Sequence, residues 1–84
     1  MEKVIYGKIS LSTIQIVKRD DKFYIRYDAG AHQIVWREDE ITESEVVAML
    51  NGQASESQVL SSLQQRLLQV GVKPYVSNWS PKHS

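Results

Sequence analysis

The chain contains no cysteine, which removes a disulfide framework and thiolate metal sites and fits a reducing compartment. No apolar run approaches the roughly 18 residues of a membrane span. The opening residues MEKVIYGK also lack a signal-peptide core, so the expectation is a soluble, cytoplasmic protein. Histidine is scarce. His32 and His83 stand alone, with no His-x-x-x-His spacing and no carboxylate–histidine cluster, so no metal and no cofactor is expected. As a general base His32 would need a nucleophile and an orienting acid. Asp28 is close in sequence, which is thin support against a half-exposed turn histidine. The four glycines, at positions 7, 30, 52 and 71, are spread one per junction and make no phosphate loop. Ser55, Ser57, Ser61 and Ser62 fall outside any Gly-x-Ser-x-Gly elbow. Catalytic signals are missing, and a non-enzymatic protein is expected.

Net charge is zero, with ten bases against ten acids, which speaks against a strong nucleic-acid footprint. The distribution is uneven. Residues 1–37 hold seven Lys/Arg against four acids, whereas residues 38–57 hold six acids and no base. The plain account of that acidic stretch is solubility together with helix-dipole compensation, since Glu43 and Glu45 fall in a first helical turn. The other account, for the segment from Glu38 to Glu45, is a contact for a basic partner or a mimic of a nucleic-acid backbone. Eighty-four residues make one domain. Residues 1–79 are expected to fold as a unit and residues 80–84 to form a mobile tail.

The organising stretch runs from Ile14 to Arg37 and reads as a three-stranded antiparallel meander with two-residue turns at Asp20-Asp21 and Ala29-Gly30. Those turns set Lys18 opposite Phe23, Ile16 opposite Ile25 and Ile14 opposite Tyr27. They also set Phe23 opposite Trp36, Ile25 opposite Ile34 and Tyr27 opposite His32. With period-two alternation, Ile14, Ile16, Phe23, Ile25, Tyr27, Ile34 and Trp36 then share one face. Before the meander, residues 3–10 read as a first strand. A parity change around Ser10 to Thr13 needs a turn or a bulge.

Two helices follow, each with a marked start. Thr42 caps the first, with Glu45 three residues on and Ile41 and Val46 as a hydrophobic staple. Val46, Val47, Met49 and Leu50 form its apolar stripe, and Asn51-Gly52 stops it. Ser55 caps the second, with Gln58 closing the box. Val59, Leu60, Leu63, Leu67 and Val70 carry its stripe, and Gly71 ends it. Pro74 then enforces an extended start to a last, edge-lying strand at 75–79, in which Tyr75 and Trp79 share a face. The fold expected is α+β: an antiparallel sheet of four to five strands, ordered β-β-β-β-α-α-β, with two helices packed on one face.

Two helices cover one side of a small sheet, which leaves the other open or closed by a partner. The same register lines up Val17, Tyr24 and Val35 in one row of that face and Gln15, Arg26 and Gln33 in the next. Arg19, Lys22 and Arg37 form a basic row at one end. The function expected is a small protein-interaction module, an adaptor, inhibitor or regulatory subunit, that binds a protein partner or its own copy as a homodimer. It would use this face (Val17, Tyr24, Val35, Arg26, Arg19, Lys22, Arg37) or an edge strand. The alternative is single-stranded nucleic-acid binding through the same basic and aromatic residues. An ordinary solvated face is the plainest account of all.

Overall fold

The hairpin at Asp20-Asp21 forms as its sequence indicates. Both aspartates have positive φ, at 52° and 66°, the twist a two-residue hairpin turn needs. In the computed structural model, residues 2–10, 13–30 and 33–80 are described, the side chains of residues 8–10 and 13 excepted. His32 and the tail from 81 onward lie outside the described residues. Strands β1 (Lys3–Ser10), β2 (Thr13–Arg19), β3 (Lys22–Asp28) and β4 (Trp36–Ile41) precede helices α1 (Glu43–Leu50) and α2 (Glu56–Gln69). The strands form one antiparallel sheet in the order β1-β2-β3-β4. The fold is α+β with β-β-β-β-α-α order. β1 is a separate strand, and its pairing with β2 is interrupted by irregularities between Val4 and Tyr6 and between Gly7 and Ser10.

The β2–β3 register is the expected one, with Ile16 opposite Ile25 and Lys18 opposite Phe23. The β3–β4 register is not. Phe23 faces Ile41, Ile25 faces Asp39 and Tyr27 faces Arg37, so the strand begins at Trp36 where the tight turn would have placed its end. The reason lies in the longer connection between Asp28 and Trp36, of which residues 29–30 and 33–35 are described. The Asp28 carboxylate accepts from the backbone N–H of Gly30 (2.9 Å) and of Val35 (2.8 Å), and the Ala29 N–H donates to the Val35 carbonyl (2.8 Å). Backbone passes so close here that a Cβ on Gly30 would sit 1.6 Å from the Gln33 carbonyl oxygen. Because strand side chains alternate, an odd displacement exchanges the two faces. Ile34 sits in the loop, 53% exposed. Trp36, Glu38 and Glu40 take one side of β4 and Arg37, Asp39 and Ile41 the other.

Both helices cover the face that carries Ile14, Ile16, Ile25, Tyr27 and Ile41, with Val46, Met49, Val59 and Leu63 closing the core. Both capping boxes form, at Thr42 with Glu45 and at Ser55 with Gln58. Each helix ends in a Schellman pair of bonds: Gln53 N–H to Ala48 O and Gly52 N–H to Met49 O, then Val72 N–H to Leu67 O and Gly71 N–H to Leu68 O. The buried stripes are narrower than their apolar residues suggest. Val47, Leu50 and Val70 are exposed, because α1 is only eight residues long and Val70 lies past the end of α2.

The last expected strand does not form. Residues 73–79 make turns and irregular backbone with no ladder. They still run beside β4, bonded mainly by side chains. The Asn78 N–H and the Ser77 hydroxyl both donate to the Trp36 carbonyl, at 3.3 and 2.9 Å.

Candidate functional site

The sheet face away from the helices was the expected binding surface, and the structure closes it from within. Val17 lies opposite Tyr24 as expected, but Val17 is 0% exposed and Tyr24 is half-buried. The next residue across from Tyr24 is Glu40, not Val35. Val35 is buried in the connection before Trp36. Arg26 is flanked by Gln15 and by Glu38 in place of Gln33. Arg19 faces Lys22, and Lys22 is exposed at the margin. Arg37 is absent from this face altogether. The displaced register turns it to the helix side, where it is 3% exposed.

The surface chemistry of this face is that of a neutral ion-pair network. Glu38 accepts from Arg19 Nη1 and Nη2 at 3.2 and 3.0 Å and from Arg26 Nε at 2.7 Å. Glu2 accepts from Arg19 Nη2 at 2.8 Å and Arg26 Nη2 at 2.6 Å, and Gln15 accepts from Arg26 Nη1 at 2.9 Å. Two guanidiniums and two carboxylates cancel. The Arg19 and Arg26 hydrogen bonds hold the Glu2 carboxyl below its ordinary pKa. At Glu38 burial pushes upward, and the bonds from the same two arginines outweigh it, so its pKa is also lowered. The guanidiniums are occupied on their flat sides too. Arg19 stacks 4.7 Å from the Tyr24 ring centroid and Arg26 4.7 Å from that of Trp79. Trp79 meets Trp36 edge-on at 6.2 Å.

A second polar cluster lies under the helix side of β4. Arg37 grips Asp39 with two bonds, Nη2 to Oδ1 at 2.8 Å and Nε to Oδ2 at 3.0 Å. The Tyr27 hydroxyl donates to Asp39 Oδ2 at 2.7 Å. Arg37 Nη1 also donates to the carbonyls of Lys73 and Val76, which ties the C-terminal segment to β4. Burial first, and the Asp39 carboxylate second, push the Tyr27 phenol well above its usual range. Every donor here has a partner, so the cluster is structural. The charge pattern held a clue to the first network: Glu38 to Glu40 follow a basic stretch, and on β4 Glu38 meets the arginines of β2 and β3.

Between the helices lies a shallow cleft of about 200 Å³, lined by Ser44, Ala48, Ala54, Gln58 and Ser62 among others. It is smaller than the roughly 300–1,000 Å³ of a ligand pocket. Its one carboxylate, Glu45, is committed to the Thr42 N–H at 2.9 Å and to Arg66 at 3.1 Å. Among the described residues, no group of three or more His, Cys, Asp or Glu is placed to hold a metal ion, and no helix is long and apolar enough to cross a membrane.

Exposed apolar side chains recur along one stretch of the sequence. Leu68, Val70, Val72, Tyr75 and Val76 follow one another at the end of α2 and beyond it, with Val70 71% and Tyr75 63% exposed. The helical periodicity of the sequence assigned Val70 to the core and so hid its exposure. In comparisons with known proteins, no family model, curated protein or solved structure matches the chain.

Proposed function

We propose that this chain is a small, non-enzymatic, cytoplasmic interaction module that docks on a protein partner, as an adaptor, inhibitor or regulatory subunit does. The observation that carries the reading is the run of exposed apolar side chains from Leu68 to Val76. Singly exposed apolar residues need no explanation, but several gathered along one segment are typical of interaction surfaces. Within the run the one charged side chain is Lys73, since Arg66 beside it is paired with Glu45. The complementary partner surface is therefore mainly apolar, with an acidic group opposite Lys73. The sheet face around Tyr24 is the weaker candidate, because its central residues are covered by their own ion pairs. The nucleic-acid reading gains no support either: Arg19 and Arg26 are neutralised by Glu2 and Glu38, and Arg37 faces the core.

The test compares full-length baits. Native protein, Leu68→Glu, Tyr75→Glu and a sheet-face variant carrying Lys22→Glu with Tyr24→Ser are used to capture partners from native extract. A partner so found is purified and titrated against each. Binding should weaken at least tenfold for the first two variants and stay within twofold for the third. The opposite order returns the role to the sheet face, and equal binding by all four removes this proposal.

A further inference from the structure

The contacts of the C-terminal segment describe a site as well as a fold. β4 is an edge strand, and the Trp36 carbonyl and both backbone polar groups of Glu38 bond away from β3. The Glu38 N–H donates to Asn78 Oδ1 at 2.8 Å, and Asn78 Nδ2 donates to the Glu38 carbonyl at 3.1 Å. One side-chain amide thus makes with one β4 residue the pair of bonds that a neighbouring strand makes with its backbone. Ser77 and the Asn78 N–H satisfy Trp36. Trp79 fills the space against Arg26 and Trp36.

Little apolar burial holds this segment down. Tyr75, Val76, Ser77 and Asn78 are all exposed, Trp79 is half-buried and only Pro74 is fully buried. Lifting it uncovers few apolar atoms and frees three β4 backbone groups together with the outer side of Arg37. The opposite edge of the sheet is protected in another way. β1 is irregular at two points along its pairing, a feature that blunts edges against strand addition.

We propose that the β4 edge is a peptide-binding site which residues 73–79 occupy in cis. The occupant from outside is a segment of a partner protein with a turn like that of residues 73–76, where the Val76 N–H donates to the Lys73 carbonyl, followed by a hydroxyl–amide–aromatic order like Ser77-Asn78-Trp79. Its amide pairs with Glu38, its aromatic ring lies against Arg26 and Trp36, and its carbonyls take the place of those of Lys73 and Val76 on Arg37. A second copy of β4 fits less well. Antiparallel pairing of two such edges centred on this stretch sets Glu38 against its own copy or against Glu40 of that copy, and like charges directly opposite are destabilising. The segment shares Tyr75 and Val76 with the apolar run, whereas Leu68, Val70 and Val72 lie outside it, so a failure of peptide binding at β4 leaves the docking reading to be judged on Leu68→Glu.

The test uses the full chain with Asn78→Ala and Trp79→Ala, changes confined to the segment that must leave. The probe is a fluorescent peptide of residues 73–80 in the native sequence. In the native protein the attached segment competes at an effective concentration of about millimolar, so the peptide should bind the variant at least tenfold more tightly. A peptide with Asn78→Ala should not bind. Amide exchange at Glu38 should be slow in the native chain, fast in the variant and slow again with peptide. A variant with native far-UV dichroism that ignores the peptide overturns the proposal. So does concentration-dependent dimerisation of the variant alone, which would assign the edge to a second copy. If the double change prevents folding, Ser77→Ala with Asn78→Ala, which leaves Trp79 in place, serves the same measurement.

Discussion

Replacing Asp39 with alanine probes the part of the fold least expected from composition. Arg37 is 3% exposed, and among the described residues its only carboxylate partner is Asp39. The substitution deletes two charged bonds of 2.8 and 3.0 Å and the acceptor of the Tyr27 hydroxyl. Removing one member of a buried ion pair costs about 3–5 kcal/mol, because the surviving charge stays desolvated. A domain of this length has about 4–13 kcal/mol of stability in total, so the change consumes a large part of it. At roughly 4–8 °C per kcal/mol, the melting temperature should fall by about 12–40 °C. Urea unfolding at pH 7, followed by circular dichroism, measures the loss directly. A triple variant, Tyr27→Phe with Arg37→Met and Asp39→Leu, removes every polar side-chain group of the cluster together. The carbonyls of Lys73 and Val76 are then left to water, both residues being exposed. It should return to within about 2 kcal/mol of the native protein, since apolar replacements of buried ion pairs are often near neutral. A loss below about 1 kcal/mol for Asp39→Ala, or a triple variant no better than the single one, would refute this account of β4.

Three further outcomes are expected. The carboxyl groups of Glu2, Glu38 and Glu45 titrate below their ordinary value of 4.5 in the folded chain. In acid the unfolded state therefore binds protons first, and their stabilisation, fully present above about pH 4.5, is lost as pH falls through the lowered folded values. Urea midpoints from pH 7 to pH 3 should show the decline, and Glu38→Gln should flatten it; an unchanged slope in that variant contradicts the network. Gly7 has φ +66°, and a Cβ there would sit 2.2 Å from the Ile14 carbonyl oxygen. Gly7→Ala should cost at least about 2 kcal/mol, and a urea-derived loss under about 0.5 kcal/mol would mean that β1 yields freely. Asp21→Gly relieves a left-handed residue at φ 66° and should stabilise by about 0.5 kcal/mol after the added entropy of the unfolded chain. A lower melting temperature would contradict that reading of the turn.

Much of the molecule follows from residues within four or five positions of one another. The Asp20-Asp21 reversal sets Ile16 beside Ile25, and the Thr42–Glu45 and Ser55–Gln58 boxes start the helices. Gly52 and Gly71 end them. Each depends on bonds that close inside a single turn, so the residue types alone specify them. The β3–β4 pairing is different. Ile34 and Trp36 make a more apolar strand than Trp36 to Ile41, and by local preference they would win. They lose because the Asp28 carboxylate bonds the N–H groups of Gly30 and Val35, and because Glu38 finds its cations on β2 and β3. Glu38 meets Arg19 and Arg26, while Asp39 is completed by Tyr27 and braced by a chain end some forty residues on. Those partners come together only after the sheet and the C-terminal segment have assembled. That assembly decided which face is closed, buried Arg37 and left the apolar run from Leu68 to Val76 facing water. Charge pairing at long range is set by where the backbone returns, and no window of neighbouring residues contains it.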